Sequence, residues 1–121
     1  MKFAISEPKY LSFNQEITWG DARQECVNMG RYLMEFSSEE EYDKAIQLAH
    51  ELGHGFWLGG NDFQQEGVWI WDRNGKQIDM DQLWTPDEPN GGTRENCLEI
   101  NQVGVNDLVC GDNRRFVCVL Y

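Results

Sequence analysis

The chain has 121 residues, enough for one domain with a modest core, and its 40% hydrophobic residues exclude a disordered protein. The net charge of −11, from 21 acidic and 10 basic residues, disfavours binding to nucleic acid or to anionic membranes. No stretch is apolar enough to insert into a membrane, and no signal-peptide core follows Met1. We expect residues 1–121 to be a single domain; as a secreted, extracellular protein it would be the mature chain or a shortened form that lacks its signal peptide.

The first elements in chain order are a strand and a helix. Residues 9–14, KYLSFN, have the composition of a strand. Residues 18–30 then place apolar side chains at helical spacing, with Thr18 as the N-cap and Gly30 as the stop. The predicted buried positions of this helix are Trp19, Ala22, Cys26 and Met29.

A second helix is predicted over residues 38–53. Ser38 and Glu41 have the spacing of a capping box, and three acidic residues occupy the first turn, where the helix dipole favours them. Its predicted buried stripe consists of Tyr42, Ala45, Ile46, Ala49 and Leu52.

The end of this helix, His50-Glu51-Leu52-Gly53-His54, matches the H-E-x-x-H pattern of zinc proteases. Two histidines four residues apart on a helix can share a zinc ion, and the glutamate can serve as a general base. A catalytic zinc needs three protein ligands, however, and the chain has only two histidines. Gly53 is also expected to end the helix before His54. We therefore predict that the protein is not an enzyme and retain a zinc metalloprotease as a remote alternative.

Beyond residue 55 the pattern changes from helical to extended. Asn74-Gly75 predicts a tight turn, and residues 78–95 form a long irregular stretch rich in Asp, Pro, Gly and Asn. Two helices followed by short strands define an α+β fold. The predicted strands are FWLGGND (56–62), VWIWD (68–72), CLEIN (97–101), VNDLVC (105–110) and FVCVLY (116–121).

The four cysteines are Cys26, Cys97, Cys110 and Cys118. An even number at wide spacing in a small acidic domain indicates two disulfides and an oxidising compartment, and buried free thiols in a cytosolic protein are the alternative. Three pairings are compatible with four cysteines, and the spacing does not select one.

The long loop and the strand after it hold a set of short oxygen donors, carboxylates mixed with amides, of the kind that calcium prefers. Pro89 lies between two of them, and a cis bond before it would point both side chains at one place. A solvated polar loop, in which these residues serve only as turn formers, is the alternative interpretation. The five candidate ligands are Glu88, Asn90, Glu95, Asn106 and Asp107.

With these motifs in place, residues 9–121 resemble a C-type lectin-like domain of the short form. The resemblance is carried by the two-helix start, FWLGG, Glu-Pro-Asn in the loop, ENC, VND and the last cysteine. It implies two helices packed on small antiparallel sheets with a long calcium-binding loop, and a cis peptide at Pro89. It also implies the disulfides Cys26–Cys118 and Cys97–Cys110.

The resemblance further implies that one Ca2+ is held by the five candidate ligands, with Asp107 giving its side chain and its carbonyl oxygen. The same ion would accept two vicinal sugar hydroxyls, which also hydrogen-bond to Glu88, Asn90, Glu95 and Asn106. The order Glu88-Pro89-Asn90 is similar to the mannose-type arrangement, which suits mannose, glucose, N-acetylglucosamine and fucose. Galactose-type domains have Gln-Pro-Asp instead.

The sequence departs from the family pattern in two places. Val105 replaces a tryptophan, and we expect repacking rather than loss of calcium. An auxiliary calcium site would use Asp62, Glu66 and Asn96 with a shared Glu95, but Gly91 offers no side chain where the family has another ligand and Asn96 offers an amide where the family has an acid.

The sequence therefore predicts calcium-dependent binding of mannose-type glycans, in glycan or pathogen recognition. A protein-binding module of the same fold that does not use sugar is the alternative, because fold does not fix function. Oligomerisation would strengthen glycan binding, but no coiled coil or collagen repeat is visible in the sequence.

Overall fold

The computed structural model describes residues 8–80 and 94–121. In these two ranges the chain forms two helices and seven strands, neither helix being long and apolar enough to span a membrane. The elements are β1 (Tyr10–Ile17), α1 (Trp19–Asn28), β2 (Tyr32–Leu33), α2 (Glu39–Leu52), β3 (Phe56–Asn61), β4 (Ile70–Trp71), β5 (Cys97–Ile100), β6 (Val105–Leu108) and β7 (Arg114–Val119).

The described strands join in one sheet with the order β1-β7-β3-β5-β6, while β2 pairs with β7 and β4 pairs with β3. All named pairs are antiparallel except β3 and β7, which run parallel where Trp57 lies opposite Phe116. Trp57 and Phe116 are far apart in sequence. Their contact links β1 and β7, which lie near the two ends of the chain, to β3 and through β3 to β5 and β6.

Helix α1 forms as predicted, with the Thr18 hydroxyl accepting a hydrogen bond from the Asp21 amide at 3.3 Å. Trp19, Ala22 and Cys26 are buried, and Cys26 forms its disulfide with Cys118 of β7. The prediction that Met29 joins this buried stripe is wrong, because the helix ends at Asn28 and Met29 is 39% exposed.

Helix α2 begins after Ser38, whose hydroxyl accepts from the Glu41 amide at 3.2 Å. The capping box is shifted by one residue, because the Glu41 carboxylate accepts from the Ser37 amide at 3.1 Å rather than from Ser38. Gly53 ends the helix in the left-handed conformation, at φ 77°, as the sequence predicts. Ala45 and Ala49 are buried against the sheet, and Tyr42, Ile46 and Leu52 pack around them.

Strand β3 is buried along its whole length and forms the centre of the core. A side chain at Gly60 would collide with Leu98 of the neighbouring strand β5, so glycine permits the close approach of these two strands. Val105, in place of the family's tryptophan, is fully buried in the same core.

The strand boundaries differ from the sequence predictions at several points. The stretch VWIWD contributes only the two residues of β4, and Asn74-Gly75 turns the chain behind it with Gly75 at φ 70°. Strand β1 continues to Ile17, β7 begins at Arg114, and the two-residue strand β2 has no counterpart in the prediction. Two-residue strands carry too little pattern to be recognised without their partners.

Candidate functional site

The ends of three strands meet beside the Cys97–Cys110 disulfide. Asn61 at the end of β3 lies opposite Cys97, and Cys97 lies opposite Leu108 at the end of β6. The disulfide, with a Cα–Cα distance of 5.2 Å, therefore fastens the segment entering β5 to the segment leaving β6. The residues predicted to bind calcium that the structure describes lie on these strands and on the segments that flank them.

Asp62 follows β3 directly and is 3% exposed. Its amide donates to the Asn96 carbonyl at 3.2 Å, and its Oδ2 accepts from the Gly67 amide at 3.0 Å. The other oxygen, Oδ1, is buried and receives no hydrogen bond from an N–H or O–H of the described residues. A buried, ionised oxygen without a donor is costly unless a cation lies beside it.

Glu66 lies on the same loop as Asp62. Partial desolvation raises the pKa of Glu66, and the hydrogen bond to Asp62 and the charges of Asp62 and Asp107 raise it further. Two carboxyl groups can share a hydrogen bond only while one of them is protonated, so at neutral pH these groups repel one another.

Glu95 precedes the disulfide and faces the same set of charges. Burial raises the pKa of Glu95, and the charge of Asp107 adds to the effect, while Arg94 opposes it and Asp112 reinforces it. Asp107 in β6 is only 2% exposed, and its charge contributes to the raised pKa of both Glu66 and Glu95. The charges of Asp62, Glu66, Glu95 and Asp107 therefore interact, and we call these four residues the acidic cluster. Carboxylate oxygens are the donor type that a hard divalent cation such as calcium takes.

Asn106 lies directly opposite Glu99 in the pairing of β5 with β6. Burial raises the pKa of Glu99, against the lowering effects of the Arg114 guanidinium and of a hydrogen bond from the Asn106 side chain. The Glu99 Oε2 lies 3.3 Å from Nε of Arg114. The sequence analysis did not identify Glu99 or Arg114, because their relation to Asn106 depends on strand register.

Three residues of the proposed calcium loop, Glu88, Pro89 and Asn90, lie outside the described residues, and so does Gly91. Within residues 8–80 and 94–121, no three side chains of His, Cys, Asp or Glu converge closely enough to hold a metal ion by themselves. The other predicted ligands are described. Asn96 and Asp107 lie near Asp62 and Glu66, Glu95 interacts with Asp107, and Asn106 lies opposite Glu99.

The H-E-x-x-H match does not lie on one helix. His50 is exposed in the last turn of α2, and His54 follows the left-handed Gly53, with its Nδ1 2.9 Å from the Gly55 carbonyl oxygen. The helix ends between the two histidines, so their imidazoles do not lie one turn apart on the same helix face, as the zinc motif requires.

Comparison with known proteins agrees with this fold. The family model described as the lectin C-type domain matches residues 15–120. CD209 antigen-like protein 2 of Macaca mulatta is 32% identical over 111 residues, covering 90% of this chain and 43% of that protein. Salivary C-type lectin 2 of Aedes albopictus is 32% identical over 127 aligned residues, covering 93% and 83%. The chain thus spans less than half the length of the CD209-type relatives it matches.

Solved structures show the same architecture. The cow C-type carbohydrate-recognition domain of CD23, crystallised with GlcNAc2Man3 oligosaccharide, superposes with a TM-score of 0.79 at 31% identity, covering 97% of this chain and 93% of that one. A Ca2+-dependent type II antifreeze protein superposes with a TM-score of 0.80 at 26% identity, covering 93% and 90%. The fold, the two disulfides and the family match over residues 15–120 together show that this chain belongs to the C-type lectin domain family.

Proposed function

We propose that this domain is a calcium-dependent carbohydrate-binding module of mannose type. The observation that carries the proposal is the acidic cluster, in which desolvation first, and then the charges of neighbouring carboxylates, raise the pKa values of Glu66 and Glu95. A divalent cation would remove that repulsion, and the mixture of carboxylate and amide oxygens is the donor set that calcium selects. Glu88 and Asn90 would complete the principal site with Glu95, Asn106 and Asp107.

Two relatives of known structure support a glycan as the ligand. CD23 was crystallised in the presence of a mannose-containing oligosaccharide, and murine dendritic cell inhibitory receptor 2 was solved in complex with an N-glycan. In this chain the calcium would accept two vicinal hydroxyls, which hydrogen-bond to Glu88, Asn90, Glu95 and Asn106. The order Glu88-Pro89-Asn90 favours mannose, fucose, N-acetylglucosamine and glucose over galactose, because exchanging acid and amide exchanges acceptor and donor.

A second calcium ion is proposed at Asp62, Glu66 and Asn96. The buried Asp62 Oδ1 without a hydrogen-bond donor among the described residues is the reason for placing a cation there. The Asn96 carbonyl already accepts from the Asp62 amide, so the two residues are held side by side.

The two disulfides are typical of proteins in oxidising compartments, in line with an extracellular domain. Extracellular calcium modules bind the ion with dissociation constants on the order of 0.1–1 mM. A single sugar held through two hydroxyls should bind at roughly millimolar strength, about −4 kcal/mol. Recognition of glycans or pathogens would then need several sites, in an oligomer or on a multivalent glycan.

The test is retention on immobilised mannose in calcium, with chelator, free mannose and free galactose as separate eluents. We expect retention in calcium, elution by chelator or mannose, and no elution by galactose. Glu88→Gln should abolish retention, whereas Glu40→Gln, the same chemical change on the exposed face of α2, should leave it unchanged. Retention that persists in chelator would refute the calcium mechanism.

A ligand other than sugar is the second candidate, favoured by the fold's occurrence in antifreeze proteins, one of them Ca2+-dependent and another calcium-independent. A folded, calcium-loaded sample that binds none of the sugars on a glycan array would favour this candidate. Binding of a protein partner that survives Glu88→Gln would favour a protein-recognition module.

A further inference from the structure

We propose that Glu99, held in place by Arg114, is a positioning residue that fixes the orientation of the Asn106 side-chain amide. Its carboxylate draws the amide nitrogen towards β5 and leaves the amide oxygen for the cation. This inference rests on the proposed function, because it takes Asn106 to be a calcium ligand, and it adds a determinant that does not itself contact the ion.

The first support is the register of β5 and β6. Glu99 and Asn106 are directly opposite partners, so their side chains project from the same face of the sheet. The Asn106 side chain donates a hydrogen bond to the Glu99 carboxylate. The contact therefore follows from the backbone pairing of two strands.

The second support is the chemistry of the two groups. An ionised carboxylate only accepts hydrogen bonds, whereas an amide donates through nitrogen and accepts through oxygen. Glu99 therefore selects one of the two orientations of the Asn106 amide, with Nδ2 towards Glu99. Calcium binds oxygen and not an amide nitrogen, so only this orientation combines the strand contact with metal binding.

The third support is the packing that holds Glu99 itself. Glu99 is 8% exposed, and its Oε2 lies 3.3 Å from Nε of Arg114, which also approaches Asp112 at 3.8 Å. A Cβ atom at Gly55 would lie only 3.1 Å from the same Oε2, so glycine leaves the room that the carboxylate occupies. With an arginine on one side and a glycine backbone on the other, the carboxylate has little freedom to turn away from Asn106.

The arrangement also explains why position 106 holds an amide and not a carboxylate, although a carboxylate binds calcium more strongly. A carboxylate at position 106 would face Glu99 directly, and like charges opposite each other in a sheet are destabilising.

The experiment is a double-mutant cycle on Glu99→Gln and Asn106→Asp, with calcium affinity measured by titration calorimetry and mannose binding measured separately. Asn106→Asp alone should weaken calcium binding about tenfold, because Glu99 repels the introduced carboxylate and turns it away from the position in which the amide oxygen faces the ion. In the double variant the amide introduced at position 99 can donate to the carboxylate introduced at position 106, so calcium affinity should return to within about threefold of the wild type. Mannose binding should not return, because a carboxylate at position 106 cannot donate to a sugar hydroxyl.

Controls separate positioning from stability. Glu16→Gln removes another carboxylate that pairs with a β7 arginine, Arg115 at 3.6 Å, and should leave calcium affinity unchanged. Circular dichroism in chelator establishes that each variant is folded. If Asn106→Asp alone does not fold, a folded double variant with near wild-type calcium affinity still demonstrates the rescue.

The outcomes distinguish this inference from the proposed function. A wild type that binds calcium and mannose, with additive effects of the two substitutions, would overturn the positioning role alone. A wild type that binds no calcium would overturn the proposed function and the positioning role together.

Discussion

Replacing Asp62 with asparagine removes one charge from the acidic cluster while keeping the shape of the side chain. The wild-type Oδ2 accepts from the Gly67 amide at 3.0 Å, a bond that the asparagine oxygen can keep. The amide nitrogen then takes the place of Oδ1, the buried oxygen that finds no N–H or O–H donor among the described residues. This nitrogen can donate to Glu66, the carboxyl group that repels Asp62 in the wild type.

Two magnitudes follow for the free energy of unfolding. In chelator, relief of an unsatisfied buried oxygen should stabilise the variant by about 1–2 kcal/mol. In calcium, each bound ion should stabilise the folded protein by RT ln(1 + [Ca]/Kd), about 1.4–2.7 kcal/mol at ten to a hundred times the dissociation constant. With two ions in the wild type and one in the variant, the gain on adding calcium should fall by roughly half.

Urea unfolding of both proteins, in chelator and in about 10 mM calcium, measures these differences, since extracellular sites bind with constants on the order of 0.1–1 mM. Asp43→Asn, the same change on the exposed face of α2, should alter neither value by more than about 0.5 kcal/mol. A variant less stable than the wild type in chelator would refute the repulsion. An undiminished calcium gain would refute an ion at Asp62.

Three further predictions concern pH, the loop disulfide and the close contact of two strands. Folding raises the pKa of Glu66, Glu95 and Glu99 above the ordinary value of 4.5, so the folded state binds protons more tightly. In chelator, the stability present below that value should therefore be lost as pH rises through the raised pKa values. In calcium the melting temperature should instead rise with pH, because only ionised carboxylates bind the ion. A melting temperature that changes with pH in the same direction in chelator and in calcium would contradict this account. Replacing Cys97 and Cys110 with serine removes a crosslink over a sequence separation of 13 and should lower the free energy of unfolding in urea by about 2–4 kcal/mol. Calorimetry should show weakened calcium binding by that variant, and an unchanged affinity would mean that the disulfide does not organise the site. Gly60→Ala should cost about 1–3 kcal/mol, because its Cβ meets Leu98, whereas Gly20→Ala, with open space on α1, should stabilise by about 0.5–1 kcal/mol. Equal effects of the two substitutions on the melting temperature would argue against close packing of β3 on β5.

Local signals in the sequence were sufficient for the helices and for the tight turn. Ser38, Thr18 and Gly53 act within one turn of their own position, so capping chemistry predicts both helix starts and the end of α2. Asn74-Gly75 likewise turns the chain through its own backbone preference. The resemblance to C-type lectins supplied the two disulfide pairings, which the structure confirms.

Non-local pairing was decided only in the folded chain. The parallel contact of β3 with β7 and the two-residue strands β2 and β4 depend on partners far away in sequence, and short strands carry little pattern of their own. The relation of Glu99 and Arg114 to Asn106 depends on the register of β5 against β6 and on the position of β7, which no spacing along the chain reveals. Residue types thus determined which oxygens are available for calcium. Strand register and burial determined which carboxylates repel one another and which neighbour orients the Asn106 amide, because these forces act between side chains only after the strands have paired.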